Sequence, residues 1–271
     1  MEIVRKTIKT RNKEDNPQIC FIGDTHIGAK AFDETNFKDA IKYVLEKENR
    51  YMIGMGDMID AISYKDPRFN PREVDTATMY IDEQISKLQD HLEEIKDRII
   101  GIHIGNHGGI FCQRTATMGI ETMCNNMGVP FLDDTALEII RLVNNKGGSI
   151  RKWKIHTSHG YGGGWTLGAV VNRILKEPQI VRDASIFAMG HSHKLFCFPY
   201  PMGMMEEGNK LIPQYAWFIN TGSFLKGYLL GASTYSERKH YSPNPMGFGV
   251  AVLGDVDVVC FPKLMDKNVR W

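Results

Sequence analysis

The sequence predicts an α/β fold: a central sheet with helical crossovers in the first half, and a second sheet from the second half packed on it. Three observations carry this. Short apolar runs alternate with longer amphipathic segments through the first two thirds of the chain. After Pro130 the apolar segments become closely spaced and strand-like. The 271 residues contain no repeat, low-complexity tract or evident linker, so one domain spanning residues 1–271 is expected.

Taken in order, residues 19–22, 51–55 and 99–104 are apolar runs of strand length, read as buried strands. Between the first two, Phe37, Ile41, Val44 and Leu45 recur at helical spacing. Between the second and third, Met79, Ile81, Ile85, Leu88, Leu92 and Ile95 do so among charged residues. A further helix is expected over 116–127, stopped by Gly128 with Pro130 just beyond. Residues 129–132, 137–143 and 153–158 read as strands, with Asn144 to Gly148 as a turn. A helix follows at 167–176. Strands are then expected at 186–189, 195–199, 211–219, 248–253 and 256–261, the last two joined by Gly254-Asp255. Residues 63–73, with Pro67 and Pro71, and the glycine-rich 161–168 read as loops at the rim of a site. The latter lacks the Gly-Lys-Ser/Thr of a phosphate-binding P-loop.

The 33 basic and 32 acidic residues nearly cancel, which gives no global basic footprint for nucleic acid. Local basic groups (Lys146, Arg151, Lys152 and Lys154, then Arg238, Lys239 and His240) read as solvated surface charge. Five cysteines, an odd number without CxxC spacing, read as reduced thiols, Cys20 and Cys260 as core residues. With no apolar leader at the start and no run long enough to span a bilayer, a cytoplasmic protein without a membrane partner is expected.

Five polar clusters each follow an apolar run: Asp24-Thr25-His26, Gly56-Asp57-Met58-Ile59-Asp60, Gly105-Asn106-His107, His159-Gly160 and Gly190-His191-Ser192-His193. Each alone is ordinary: Asp-Thr-His and Gly-Asn-His are common turns, and Gly-Asp-x-x-Asp is a common helix start. Together, carboxylates, an amide and several imidazoles form a donor set for paired divalent metals. Paired metals hydrolyse phosphate esters by activating a water. In open α/β sheets, sites gather beyond the carboxyl ends of the strands, so clusters far apart in sequence can converge there. Asp60 reads as a supporting or capping residue, and His103, inside its strand, as core.

The order D-x-H, G-D-x-x-D, G-N-H, H-G, G-H-x-H resembles the calcineurin-like metallophosphoesterase superfamily, over Asp24 to His193. The resemblance implies a four-layer αββα sandwich, two central mixed β-sheets flanked by helices, and a binuclear centre. By motif position, one metal takes Asp24, His26 and His193, the other Asn106, His159 and His191, and Asp57 bridges them. His107 becomes the catalytic histidine. The chain departs from the pattern in having Gly108 and Gly109 where an acidic residue generally orients that histidine. Asn220-Thr221-Gly222-Ser223 resembles the superfamily's later Asn-x-Gly-Ser strand end. The opening Ile-Gly-Asp-Thr-His-Ile-Gly is similar to the superfamily's double-strand-break repair nucleases.

The expected activity is therefore metal-dependent phosphoester hydrolysis with two divalent ions, manganese first, and iron, zinc or nickel compatible with the same donors. A phosphodiester of nucleic acid or a nucleotide is the expected substrate, a phosphomonoester or phosphoprotein the alternative, and a metal-binding scaffold without turnover the rival. Arg114, Tyr161 and Arg238 are candidate substrate contacts. Oligomeric state leaves no trace in the sequence.

Overall fold

The computed structural model describes residues 1–10, 16–163, 166–231, 234–254 and 258–265. Its elements in chain order begin with β1 (Glu2–Lys9), β2 (Gln18–Ile22), α1 (Glu34–Leu45), β3 (Arg50–Gly54), α2 (Ile81–Leu92) and β4 (Ile99–His103). Then come α3 (Gly105–Thr115), α4 (Gly119–Met127), β5 (Phe131–Asp133), β6 (Thr135–Val143), β7 (Ser149–Ser158) and α5 (Leu167–Ile174). The chain ends with β8 (Ile186–Met189), β9 (Leu195–Glu207), β10 (Lys210–Thr221), α6 (Tyr235–Arg238), β11 (Gly247–Leu253) and β12 (Val258–Leu264).

The strands form two mixed six-stranded sheets, ordered β12-β11-β2-β3-β4-β5 and β1-β6-β7-β8-β10-β9. Strands β2 to β5 are parallel neighbours, as are β7, β8 and β10. The sheets pack face to face between helices, an αββα sandwich. Alternation within single strands explains the layering. In β2, Ile19 and Phe21 point between the sheets, whereas Cys20 and Ile22 point outward under α1, α2 and α4. Both faces are buried, which is why the sequence shows an unbroken apolar run. A third cluster, with Phe187 and Phe218, lies under α5 on the second sheet.

Three features differ from the sequence expectation. Strand β1 pairs with β6 at a sheet edge, where its half-exposed, charged sequence hides it from hydrophobic periodicity. The helix expected over 116–127 is present but starts only at Gly119 as α4, and an unexpected helix, α3, precedes it and ends where Ala116 turns left-handed (φ 54°). Helix α3 itself contains Gly108 and Gly109, which intrinsic propensity disfavours. Strands β9 and β10 run longer than the expected 195–199 and 211–219 and pair as a hairpin. It tolerates Pro199 and Pro201 because β9 is an edge strand. The β11–β12 hairpin is present, although Asp255 and Val256 lie outside the described residues. No helix among the described residues is long and apolar enough to cross a membrane.

One polar chain ties the two sheets together. Glu138 Oε1 of β6 lies 2.6 Å from Thr157 Oγ1 of β7, and that hydroxyl lies 2.7 Å from His103 Nε2 of β4. His103 Nδ1 lies 3.0 Å from the Asp133 carbonyl, to which it must donate. In a neutral ring Nε2 then accepts the Thr157 proton, so the bond between Thr157 and Glu138 requires a proton on Glu138. Burial drives both groups neutral, lifting Glu138 to about 8 and depressing His103 to about 3.

Unfolded Glu138 ionises near its ordinary 4.5, whereas folded Glu138 holds its proton to about 8. Its contribution to stability is therefore complete below pH 4.5 and lost as pH rises towards 8. Glu138→Gln keeps a donor for Thr157 and removes the titration. The stability gap between variant and parent should widen from pH 5 to pH 8, reaching on the order of a few kcal/mol. Denaturant unfolding at both pH values checks this, and an equal gap would mean that Glu138 is ionised in the fold.

Candidate metal centre

The five clusters meet at the carboxyl ends of β2, β3, β4, β7 and β8. Backbone bonds zip the first two together: Asp24 N–H donates to Gly56 O (2.9 Å), and His26 N–H to Asp57 O (3.0 Å). Among the described non-glycine residues, nine have positive φ, and five of them are Asp24, His26, Asp57, His191 and His193. Such concentration of costly backbone marks a place where tertiary contacts overrule local preference. Glycines sit where the loops cross. A Cβ on Gly56 would lie 2.6 Å from His159 Nδ1, and one on Gly105 (φ 75°) would overlap the backbone nitrogen and Oδ1 of Asp57.

Asp24 and Asp57 are buried, as are His26 and His159. Asn106, His107, His191 and His193 are half-buried and line a cleft of about 630 Å³. Two groups of ligand-type atoms, from Asp24, His26 and His193 and from Asp57, His159 and His191, each lie within 4.8 Å of one another. In the first, Asp24 Oδ1 is 3.3 Å from His193 Nε2, which is 3.3 Å from His26 Nε2. In the second, His159 Nε2 is 3.1 Å from both Asp57 Oδ2 and Asn106 Oδ1. Asp57 Oδ2 also lies 4.0 Å from His26 Nε2, between the groups.

Proton bookkeeping decides what these atoms offer. His159 Nδ1 donates to the Met55 carbonyl (2.8 Å), and His26 Nδ1 to Asp60 Oδ1 (3.3 Å). In the neutral rings, as a metal would take them, both Nε2 atoms offer lone pairs to the site. Asp24 Oδ1 is buried without a hydrogen-bond partner among the described residues. Acceptors thus converge on acceptors, an arrangement that a cation resolves. Donor atoms about 2.1 Å from an ion and at roughly 90–109° to each other stand about 3.0–3.4 Å apart, the spacing of the close pairs here. The residues present fit two divalent ions.

The remaining carboxylate oxygens hold the frame. Asp24 Oδ2 accepts the His191 N–H (2.9 Å), and Asp57 Oδ1 accepts the His107 N–H (2.8 Å). Asp57 thereby caps the first turn of α3 rather than a helix of its own segment, and the helix dipole favours its charge. Burial pushes Asp57 up, but the charges of His159 and His107 outweigh it and hold the carboxyl well below the usual range. Burial likewise opposes protonation of His159, yet the Asp57 carboxylate overrides it and raises the imidazole to about 9. The field that draws protons onto these rings is one that attracts metal cations.

His107 is oriented without the acidic neighbour that the resemblance led one to expect. Its Nδ1 donates to the Asp60 carbonyl at 2.5 Å, leaving Nε2 as the nitrogen available to a substrate. Asp60 serves both histidines, through its carboxylate to His26 and its carbonyl to His107. The grouping of His26, Asp60 and His107 is thus internally hydrogen-bonded. Asn220 donates to Ser192 Oγ (2.7 Å) and to the Lys194 carbonyl, gripping the turn that carries His191 and His193.

Of the candidate substrate contacts, Arg238 lines the cleft and is paired with Glu73. Arg114 instead binds Asp66 (2.6 Å), and Tyr161 projects half-exposed beside the cleft without lining it. Residues 164 and 165 of the glycine-rich loop lie outside the described residues. Sequence reasoning did not single out Arg68, Arg72 and Lys226 on the cleft wall, although 63–73 was marked as a rim loop. Arg68 is held by Asp66 through two bonds of 3.0 and 2.9 Å. Buried Arg173 was missed as well. It donates to the carbonyls of Tyr161, Gly162 and Gly163, and the Gly162 carbonyl lies 3.1 Å from His191 Nε2. Nothing in an amphipathic helix signals such a clamp.

No protein-family model matches the chain, and no curated relative matches it. Solved structures that resemble it include zinc-complexed Vps29 of Entamoeba histolytica, at 15% identity and TM-score 0.42, covering 92% of this chain and 99% of that one. The calcineurin-like phosphoesterase YfkN of Bacillus subtilis aligns at 12% identity and TM-score 0.45, covering 94% and 92%. The NAD nucleotidase of Haemophilus influenzae aligns at 11% and 0.43, covering 92% of this chain and 50% of that one. Likenesses this distant do not assign a function, so the site speaks through its own residues.

Asp57→Asn removes the anionic oxygen that lies between the two groups and should abolish binding of at least one equivalent of manganese, measured by elemental analysis after dialysis. Gly105→Ala should do the same without altering any donor, by displacing Asp57. Full metal retention in Asp57→Asn would remove it from the bridging position.

Proposed function

We propose that this chain is a metal-dependent phosphoester hydrolase whose substrate is a phosphodiester of nucleic acid or a nucleotide. The observation that carries the proposal is the convergence of lone-pair donors from five strand ends on the floor of a basic-walled cleft. We assign Asp24, His26 and His193 to one divalent ion and Asn106, His159 and His191 to the other, with Asp57 between them. Such a pair, manganese in the first instance, would supply an activated water and neutralise the phosphoryl charge.

The chain's own groups do the rest. Arg68, fixed by Asp66, presents a guanidinium to the cleft and suits bidentate contact with phosphate oxygens. Phe69, Tyr235 and Tyr241 line the same cleft and offer faces to a base. His107, anchored through Nδ1 on the Asp60 carbonyl, holds Nε2 for proton transfer to the leaving oxygen. The cleft exceeds what a bare phosphate needs and favours an ester with a ring on at least one side.

The test is hydrolysis of a chromogenic phosphodiester and the matching monoester by metal-stripped and manganese-reconstituted protein. Faster turnover of the diester, dependent on metal, is expected. Preference for the monoester would make the protein a phosphatase, and no turnover of either ester with metal bound would leave the scaffold alternative. His107→Ala should keep its metal and lose roughly 10²–10⁴-fold in rate. An unchanged rate would exclude His107 from proton transfer.

A further inference from the structure

Helix α5 is fixed to the second sheet on its own terms. It buries Val170 and Ile174 against Phe187 and Phe218, and with them Arg173, which is 9% exposed. Four residues further on, buried Glu177 places Oε2 3.2 Å from Nδ1 of buried His156. His156 belongs to β7, the strand that delivers His159 to the site. Arg173 stands in the last turn of the helix, where the helix dipole favours a cation. That position is ordinary, but its partners are not.

Arg173 Nη1 donates to the carbonyls of Tyr161 (2.7 Å), Gly162 (2.5 Å) and Gly163 (3.1 Å). An Nη group has two hydrogens, so three acceptors share them and the positive charge holds the group as a whole. These loop residues are exposed, with no core of their own to fix their carbonyls. Gly162 (φ 75°) permits the approach, since a Cβ there would stand 3.2 Å from Nη1. The Gly162 carbonyl also lies 3.1 Å from His191 Nε2. A carbonyl only accepts, so the ring donates its Nε2 proton and, when neutral, keeps a lone pair on Nδ1. His159 is held in the opposite sense, its Nδ1 donating to the Met55 carbonyl. One ring nitrogen of His191 stands within 4.8 Å of the ligand-type atoms of Asp57 and His159, and Nδ1 is the one left to serve a metal.

We infer that Arg173 is a positioning residue for the second divalent ion: through the Gly162 carbonyl it fixes the His191 ring so that Nδ1 serves that ion. The inference rests on the assignment of His191 to the second ion. Partners that orient a metal-bound histidine from behind typically contribute about 10–100-fold to metal affinity. The first ion, assigned to Asp24, His26 and His193, has no contact with this loop carbonyl and should not depend on the clamp. Arg173 also borders the cleft, so a contact with substrate phosphate is the competing role. The two roles differ in what they change, since one sets metal affinity and the other KM.

The experiment titrates the metal-stripped, full-length protein with manganese and reads the unbound ion by its electron paramagnetic resonance signal. The parent should bind two equivalents. Arg173→Met should weaken one of them by about 10–100-fold and leave the other unchanged. Adding His193→Gln, which removes a ligand of the first ion, should then leave no tight equivalent, and this places the weakened ion at the second site. Arg173→Lys offers three donors to the three carbonyls and should recover most of the affinity. Gly162→Ala lies at an exposed position, leaves Arg173 in place, and should reproduce the selective loss without touching the core. Two unchanged equivalents in Arg173→Met and Gly162→Ala would overturn the inference. So would full metal retention with a raised KM for the phosphodiester, which would make Arg173 a substrate contact. A parent that binds no manganese would overturn the metal assignment itself, and the inference with it.

Discussion

Two carboxylates buried at the ends of adjacent strands govern this molecule. Asp24 and Asp57 follow β2 and β3, which lie side by side, and neither is more than 2% exposed. Ionised carboxylates in such a setting are costly unless each oxygen meets a donor or a cation. One oxygen of each is met by a backbone N–H from another loop, at His191 for Asp24 and at His107 for Asp57. The other oxygen of each points at imidazoles. The frame around the site follows from this constraint, because the loops must bring those amides and rings to the carboxylates.

That requirement explains local features that would otherwise look like defects. Left-handed backbone at aspartates and histidines is unfavourable, and here it recurs at five of the site residues. Helix α3 starts with Gly-Asn-His-Gly-Gly, a poor helix former, because Asp57 supplies its cap from a different part of the chain. Gly56 and Gly105 occupy points where loops cross too closely for a side chain. The strain is localised, and the sandwich beneath it, with its three apolar layers, holds it in place.

The second sheet serves the site from the end of β7. There the chain enters the metal centre through His159, with the chain from Glu138 through Thr157 to His103 just beneath it. From α5, packed on the same sheet, Arg173 holds the loop that follows His159. One strand end thus carries a ligand, a buried hydrogen-bonded chain and a clamped loop.

The sequence by itself determined the alternation of buried strands and amphipathic helices, because apolar periodicity is a local property. It also made legible which side-chain types gather at the strand ends, since the five clusters each sit one step beyond an apolar run. Most of the second sheet was readable for the same reason, although β1, charged and half-exposed at an edge, was not. Only the tertiary structure decided that Asp57 caps α3, that the Asp60 carbonyl aims His107, and that Arg173 grips the loop whose Gly162 carbonyl meets His191. It also decided that Arg68 rather than Arg114 borders the cleft. These are pairings between residues tens of positions apart. Their partners are set by where strands end and loops cross, which no local pattern encodes.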